Sequence, residues 1–170
     1  MAANVGKFFE SVGNFFSGGD QIPWSDRDVI AGCEREVSDA QKGSSDEFFK
    51  ECIMRLSWAL VHSRQPEDVQ RGIAMLEASV ADANANASPP QWREKLYLLA
   101  VGYYRSGDHS RSRELVEQCL MIAPDWRQAQ TLKKMNEDKI KRDGAIGIGI
   151  AATAVGLIAG GIAAAVARKK

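Results

Sequence analysis

Residues 93–124 read REKLYLLAVGYYRSGDHSRSRELVEQCLMIAP, and the placing of small and large apolar side chains in this stretch decides the fold class. Leu96, Leu99 and Tyr103 return every three or four positions, as do Val116 and Cys119 beyond the break at Ser106-Gly107-Asp108. That period is helical, and nothing between residues 20 and 143 alternates with a period of two, so the domain is expected to be all-α. Ala100 and Ser112 put small side chains where two helices of a pair would cross closely. Pro124 falls where the next helix would open, since a proline is tolerated in a first helical turn.

This is tetratricopeptide spacing. Upstream by about 41 residues, Trp58-Ala59, Gly72, Leu76 and Ser79 repeat the pattern loosely, in register with the first match and at helix-pair spacing. Around the two units the chain reads as six helices. The first is capped by Ser25 or Asp26 and runs to about Gln41, and the second spans about Asp46 to Ser63. Pro66 turns the chain into a third, Pro90 opens the fourth, the fifth covers about 110–122, and the sixth starts at Pro124 and continues through KKMNEDKIKRDG. Stacked units of this kind form a concave binding face. Positions one turn apart on the first helix of each unit place Leu56 and Leu60, then Tyr97, Val101 and Tyr104, along that face, with Arg64 and Arg105 at its rim. Apolar residues at this spacing also serve as plain core, and spacing alone does not separate the two roles.

The far end has a different composition. From Gly144 to Ala167 there are 24 residues without a charge, ahead of the tip Arg168-Lys169-Lys170. As a helix this run measures ~36 Å, against a hydrocarbon core of ~30 Å. Lys139, Lys141 and Arg142 before it and the three basic residues after it can snorkel to the two headgroup layers. The expected arrangement is an N-terminal amphipathic arm over 1–24, a cytosolic bundle over 25–143, a transmembrane tail anchor over 144–167 and a basic tip at 168–170. So short a distance from the end, the span is expected to insert after translation finishes. Its low hydrophobicity and basic tip point to mitochondrial or peroxisomal membranes. Ala152, Gly156, Gly160 and Ala164 form a small-residue stripe that could pair tails, which makes a second copy of the chain a candidate partner.

Charge narrows the partners. The whole chain carries 22 Lys+Arg and 22 Asp+Glu, and removing residues 144–170 leaves 19 against 22, with no basic stripe before Lys133. Nucleic acid is therefore not an expected partner. The cysteines at 33, 52 and 119 are widely spaced, without a CxxC pair, and read as small core residues. The only histidines, His62 and His109, are far apart in sequence, and no nucleophile motif or phosphate-cradling loop precedes a helix of the bundle. Neither catalysis nor a cofactor nor a metal is expected.

With these elements in place, YLLAVGYYRSGDHSRSRELVEQCL, IAPDWRQAQ and DKIKRDGAIGIGI, together with WALVHS and QRGIAMLE upstream, resemble the mitochondrial fission 1 protein family. The similarity covers about residues 46–170, and the small-residue loop at 82–90 and longer N-terminus are similar to the plant branch. The resemblance implies a tetratricopeptide-like six-helix bundle facing the cytosol, with a single C-terminal transmembrane helix. It implies residence on the mitochondrial outer membrane and peroxisomes, with plastids as a further site in plants. It also implies a role in organelle division, recruiting a dynamin-related GTPase through fission adaptors. By residue match the family's groove would involve Leu56, Trp58, Leu60 and His62, then Leu98, Ala100, Gly102 and Tyr104, with Leu98 standing where an aromatic is common.

At the other end, NVGKFFESVGNFF puts Val5, Phe8, Val12 and Phe15/Phe16 on one helical face, with Phe9 beside it. Three readings stay open: an arm that folds into the concave groove and gates it, a helix lying on the membrane surface, and a staple on the outside of the bundle. The rival function is a tail-anchored tetratricopeptide receptor for precursor proteins delivered by chaperones. Such a receptor needs Lys, Arg and Asn clustered on its concave face, and the positions here are mostly apolar.

Overall fold

Local chemistry fixes where each helix starts and stops. In the computed structural model, which describes residues 22–83 and 88–144, six helices follow in order: α1 Arg27–Ala40, α2 Asp46–Val61, α3 Pro66–Ala83, α4 Pro89–Ser106, α5 His109–Ile122 and α6 Arg127–Asp143. The α2 cap is Ser45, whose hydroxyl oxygen accepts the Phe48 N–H at 3.3 Å, with Asp46 and Glu47 facing the positive end of the helix dipole. Asp108 caps α5 by accepting the Arg111 N–H at 3.1 Å. The α4 helix stops at Gly107, whose φ of 90° is left-handed and favours glycine. The phenylalanines Phe8, Phe9, Phe15 and Phe16, the span over 145–167 and the tip Arg168, Lys169 and Lys170 lie outside the described residues. Among the described residues no helix is long and apolar enough to cross a membrane.

Short connections make successive helices antiparallel neighbours, so α2, α4 and α6 run in the same direction. The pairs α2/α3 and α4/α5 are the two tetratricopeptide-like units, with α1 and α6 flanking them. A large apolar cluster joins Trp58 and Val61 of α2, Val69, Ile73 and Leu76 of α3, residues 96–101 and Tyr103 of α4, Val116 and Cys119 of α5, and Ala129 and Leu132 of α6. A second cluster holds Val29, Ile30 and Cys33 of α1 against Leu56, Ala59 and Leu60 of α2.

Small residues set how closely the helices approach. A Cβ added at Gly72 would lie 2.8 Å from Val61 Cγ1, 2.9 Å from Leu60 Cβ and 3.0 Å from the Val61 backbone nitrogen, so α3 crosses α2 in near backbone contact. Ala100 is fully enclosed, and the Ser112 hydroxyl of α5 reaches its carbonyl oxygen at 2.7 Å. Replacing Ala100 with Leu should cost ~1–3 kcal/mol through overpacking. Thermal unfolding of the chain ending at Gly144 should drop by several degrees, and an unchanged midpoint would contradict this crossing.

Three boundaries differ from the sequence reading, the smallest being the start of α4 at Pro89 rather than Pro90. Pro124 does not start the last helix. Residues 124–125 form a turn in which Trp126 N–H donates to Ala123 O (3.2 Å) and the Gln130 side chain donates to Pro124 O (2.7 Å), and α6 begins at Arg127. The second helix ends at Val61 rather than Ser63, because Ser25 of a preceding segment takes up the carbonyls at its end.

Candidate functional site

The parallel helices α2 and α4 bring Arg64 and Arg105 to the same end of the bundle, each three residues beyond the contact between Val61 and Gly102, where a Cβ on the glycine would meet Val61 Cγ1 at 3.1 Å. An extended segment, Ile22–Ser25, crosses this end as a strap. Ile22 is buried in the large cluster. The Arg105 guanidinium donates to the carbonyls of Ile22 (3.0 Å) and Pro23 (3.1 Å). Ser25 N–H donates to His62 O at 2.9 Å, and its hydroxyl to Ala59 O at 2.5 Å, so the strap satisfies carbonyls that the end of α2 would leave open.

Trp24, 43% exposed, lies against both arginines. Its ring centroid is 3.3 Å from the guanidinium carbon of Arg105 and 4.8 Å from that of Arg64, so both cations face one indole. Burial pulls Arg105 down to about 10, with the Arg64 charge adding in the same direction. Several other arginines of the bundle have carboxylates: Arg55 meets Glu36, Arg71 meets Glu34 and Asp68, Arg111 meets Glu77, and Arg113 meets Glu117, whereas Arg93 rests on the Trp126 ring. Arg64 and Arg105 meet no carboxylate among the described residues, and Arg105 Nε is buried without a hydrogen-bond partner there.

Beneath the strap sits His62, 1% exposed and stacked on Trp58 with ring centroids 3.6 Å apart. Its Nδ1 lies 2.7 Å from Trp58 O, an acceptor, so the proton resides on Nδ1. The other nitrogen has no partner among the described residues. Burial drives the imidazole down to about 3, with the Arg105 charge in the same sense, so it is neutral at physiological pH. A separate buried polar ladder joins α5 to α6: Asn136 Nδ2 donates to Ser112 Oγ (2.8 Å) and to Leu132 O (3.0 Å).

The residues expected along an open groove are placed otherwise. Leu56, Leu60, Tyr97 and Val101 are all buried, and they divide between the two clusters. Leu56 and Leu60 belong to the cluster formed with α1, because that helix packs on this face of α2; Tyr97 lies in the large cluster, its ring 4.8 Å from that of Trp126. Trp58, His62, Leu98, Ala100 and Gly102 are buried as well. Of the expected set, Arg64 is exposed, while Tyr104 and Arg105 are partly so, and the two arginines meet on the Trp24 ring. Tyr104 instead faces the His109 ring at 5.2 Å. Lys139 is partly exposed, and Lys141 and Arg142 are exposed on the last turn of α6.

Sequence reasoning missed Trp24 and the role of Ser25. The signal was Ile22-Pro23-Trp24, an apolar and an aromatic residue around a proline immediately before a helix. Among the described residues no group of His, Cys, Asp or Glu is arranged to hold a metal. The three cysteines are buried and unbridged, and burial raises Cys33 to about 11 and Cys119 to about 12, which makes these two poor nucleophiles.

Residues 51–83 match the profile of the Fis1 N-terminal tetratricopeptide repeat, and residues 93–145 that of the Fis1 C-terminal repeat. The chain is 66% identical to mitochondrial fission 1 protein A of Arabidopsis thaliana over the whole of both chains. With the mouse mitochondrial fission 1 protein it shares 31% identity over 81% of this chain and 88% of the mouse protein. The crystal structure of fission protein Fis1 from Saccharomyces cerevisiae superposes with a TM-score of 0.59 at 21% identity, covering 71% of this chain and 88% of that one. Yeast Fis1 crystallised in complex with an Mdv1 fragment superposes similarly, with a TM-score of 0.60 at 21% identity over 71% of this chain and 89% of that one.

Proposed function

The chain belongs to the mitochondrial fission 1 protein family, a tetratricopeptide-like adaptor family and not an enzyme family, and from that premise we propose that it is a tail-anchored adaptor for organelle fission. It stands on the outer surface of mitochondria and peroxisomes, and of plastids where present, with residues 25–143 in the cytosol, and it recruits dynamin-related GTPase machinery through fission adaptors. The observation that carries this is the full-length identity to a mitochondrial fission protein. Its support in the sequence is the uncharged run that follows the end of α6, between basic flanks.

The partner engages the face formed by α2 and α4, including Tyr97, Val101, Leu56 and Leu60 and the rim residues Arg64, Tyr104 and Arg105. These apolar side chains are buried in the folded chain, so a partner reaches them only when a covering segment moves. Helix α1 is the cover over Leu56 and Leu60, and the strap crosses the end of this face at Arg64 and Arg105. Residues 1–19, with Phe8, Phe9, Phe15 and Phe16, serve as a gate ahead of it. The Mdv1 complex of yeast Fis1 gives precedent for a protein partner on this fold.

Two measurements test the reading. Fluorescent protein fused ahead of residues 136–170 should reach mitochondria and peroxisomes, and the chain stopped at Gly144 should stay in solution. A fusion that remains soluble would rule out the anchor. Proximity labelling from the full chain, with the tail-less chain as control, should enrich dynamin-related GTPase and its adaptors. Enrichment of chaperones in their place would favour the precursor-receptor function.

A further inference from the structure

The buried ladder Ala100 O–Ser112 Oγ–Asn136 Nδ2 ties α4, α5 and α6 at one level. From that level α4 and α6 run in the same direction. Arg105 is five residues beyond Ala100, a rise of ~7.5 Å, and Gly144 is eight beyond Asn136, a rise of ~12 Å. The difference of ~4.5 Å is less than one helical turn. Arg64 stands level with Arg105, since Val61 and Gly102 touch and each arginine follows three residues later. The Trp24 clamp therefore sits close to the height at which the chain leaves α6 for its uncharged tail, on the same end of the bundle.

That end has a composition suited to a headgroup layer. Trp24 offers an amphipathic ring, 43% exposed, and such rings favour the boundary between headgroups and acyl chains. Arg64 and Arg105 bring two cations without a carboxylate among the described residues. Lys141 adds an exposed cation on the last turn of α6, next to Arg142, which pairs with Asp143. Several acids at this end are engaged within the protein: Asp68 with Ser63 and Arg71, Asp108 with the Arg111 N–H, and Asp143 with Arg142. Asp26, Asp28 and Glu67 stand at this end as well, so the positive charge is local to the clamp and the end of α6.

We infer that this end of the bundle, through Trp24 in contact with Arg64 and Arg105, docks on an anionic lipid surface and orients the domain against the membrane. The inference rests on the tail-anchor reading, which brings the surface within reach. Lipid phosphates supply the counter-charge that the fold leaves out, and the indole enters the headgroup layer beside them. The strap is thereby held more firmly on a charged membrane than in solution.

The test uses the full chain reconstituted into vesicles of neutral phosphatidylcholine, with or without about one-third anionic phosphatidylserine. Flotation reports insertion of the tail, and quenching of tryptophan emission by headgroup-labelled lipid reports docking. The Trp24 share is the difference between the natural chain and Trp24→Phe. It should be at least about twofold larger on anionic vesicles, and it should fall as salt is raised. Arg64→Gln with Arg105→Gln should abolish the lipid dependence. In the unaltered chain the total tryptophan quenching on anionic vesicles should also fall as salt is raised, and that reading does not depend on the variants folding. A chain that fails to float overturns the anchor and this docking together. A chain that floats, with a Trp24 share that is absent or the same on neutral and anionic lipid, overturns the docking alone. So does an arginine variant that folds and keeps the full lipid dependence, or one that loses only adaptor binding.

Discussion

Acidifying the helical domain from about pH 6.5 to 4.5 should remove ~2–3 kcal/mol of stability through His62 alone. In the folded chain burial holds this imidazole at about 3, whereas in the unfolded chain it titrates near its ordinary value of about 6.5. Between those limits the unfolded state binds a proton that the folded state refuses, and stability then rises with pH. The contribution is complete above about 6.5 and falls by ~1.4 kcal/mol per unit below it, levelling off toward 3. For a domain of this size, two pH units correspond to a midpoint roughly 10 °C lower. His62→Asn retains a side-chain N–H for Trp58 O and cannot titrate. Its unfolding midpoint should depend less steeply on pH than that of the natural chain, with the surface carboxylates common to both. Parallel curves would mean that His62 takes up its proton at the same pH in the folded and the unfolded state.

The second large effect lies at Gly72. A valine there must place its Cβ within 3.0 Å of Val61 Cγ1, Leu60 Cβ and the Val61 backbone nitrogen. Val61 cannot swing aside, because it is fully buried and also meets the position of a Cβ on Gly102. Helices α2 and α3 would have to separate, at or above the top of the ~1–3 kcal/mol usual for overpacking. Gly72→Ala should cost less, since alanine recovers up to about 1 kcal/mol in helix propensity over glycine. Ala74→Val, exposed on the same helix, is the control and should shift the midpoint little. Denaturant titration of the chain ending at Gly144 would read all three. Equal midpoints for Gly72→Val and Ala74→Val would contradict the close crossing.

Much of the fold was legible because the signals were local. Ser45 ahead of Asp46-Glu47, Pro66 after a polar pair, and Gly107 after a helical run each fix a boundary by chemistry within four residues. Ala100, Ser112 and Gly72 marked the crossings because only small side chains fit there. Pro124 misled for a related reason: a proline suits a turn as well as a first helical turn, and hydrogen bonds from Trp126 and Gln130 decide for the turn. The groove was less legible. Leu56 and Tyr97 occupy equivalent positions in their units, but only Leu56 is taken up by the cluster with α1, and periodicity on one helix carries no information about which neighbour covers it. Arg64 and Arg105 were placed near one another by repeat register, while Trp24, about 40 and 80 residues away in sequence, was beyond any local pattern.

The amide of Asn136 has a mechanical consequence. It is fully enclosed, and it bonds both its own helix and Ser112, which in turn holds Ala100 O. Sliding α6 along α5 by one turn would strand these polar groups in an apolar interior, at ~1–3 kcal/mol for each unsatisfied group. The last helix is thus pinned against shear. Tension applied at Gly144 would not draw α6 out gradually; it would load α4 and α5 as one stiff lever up to a yield force, then release them abruptly. A pull on residue 144 in a single-molecule trap should therefore give one sharp rupture, and Asn136→Leu should replace it with a lower and more gradual one.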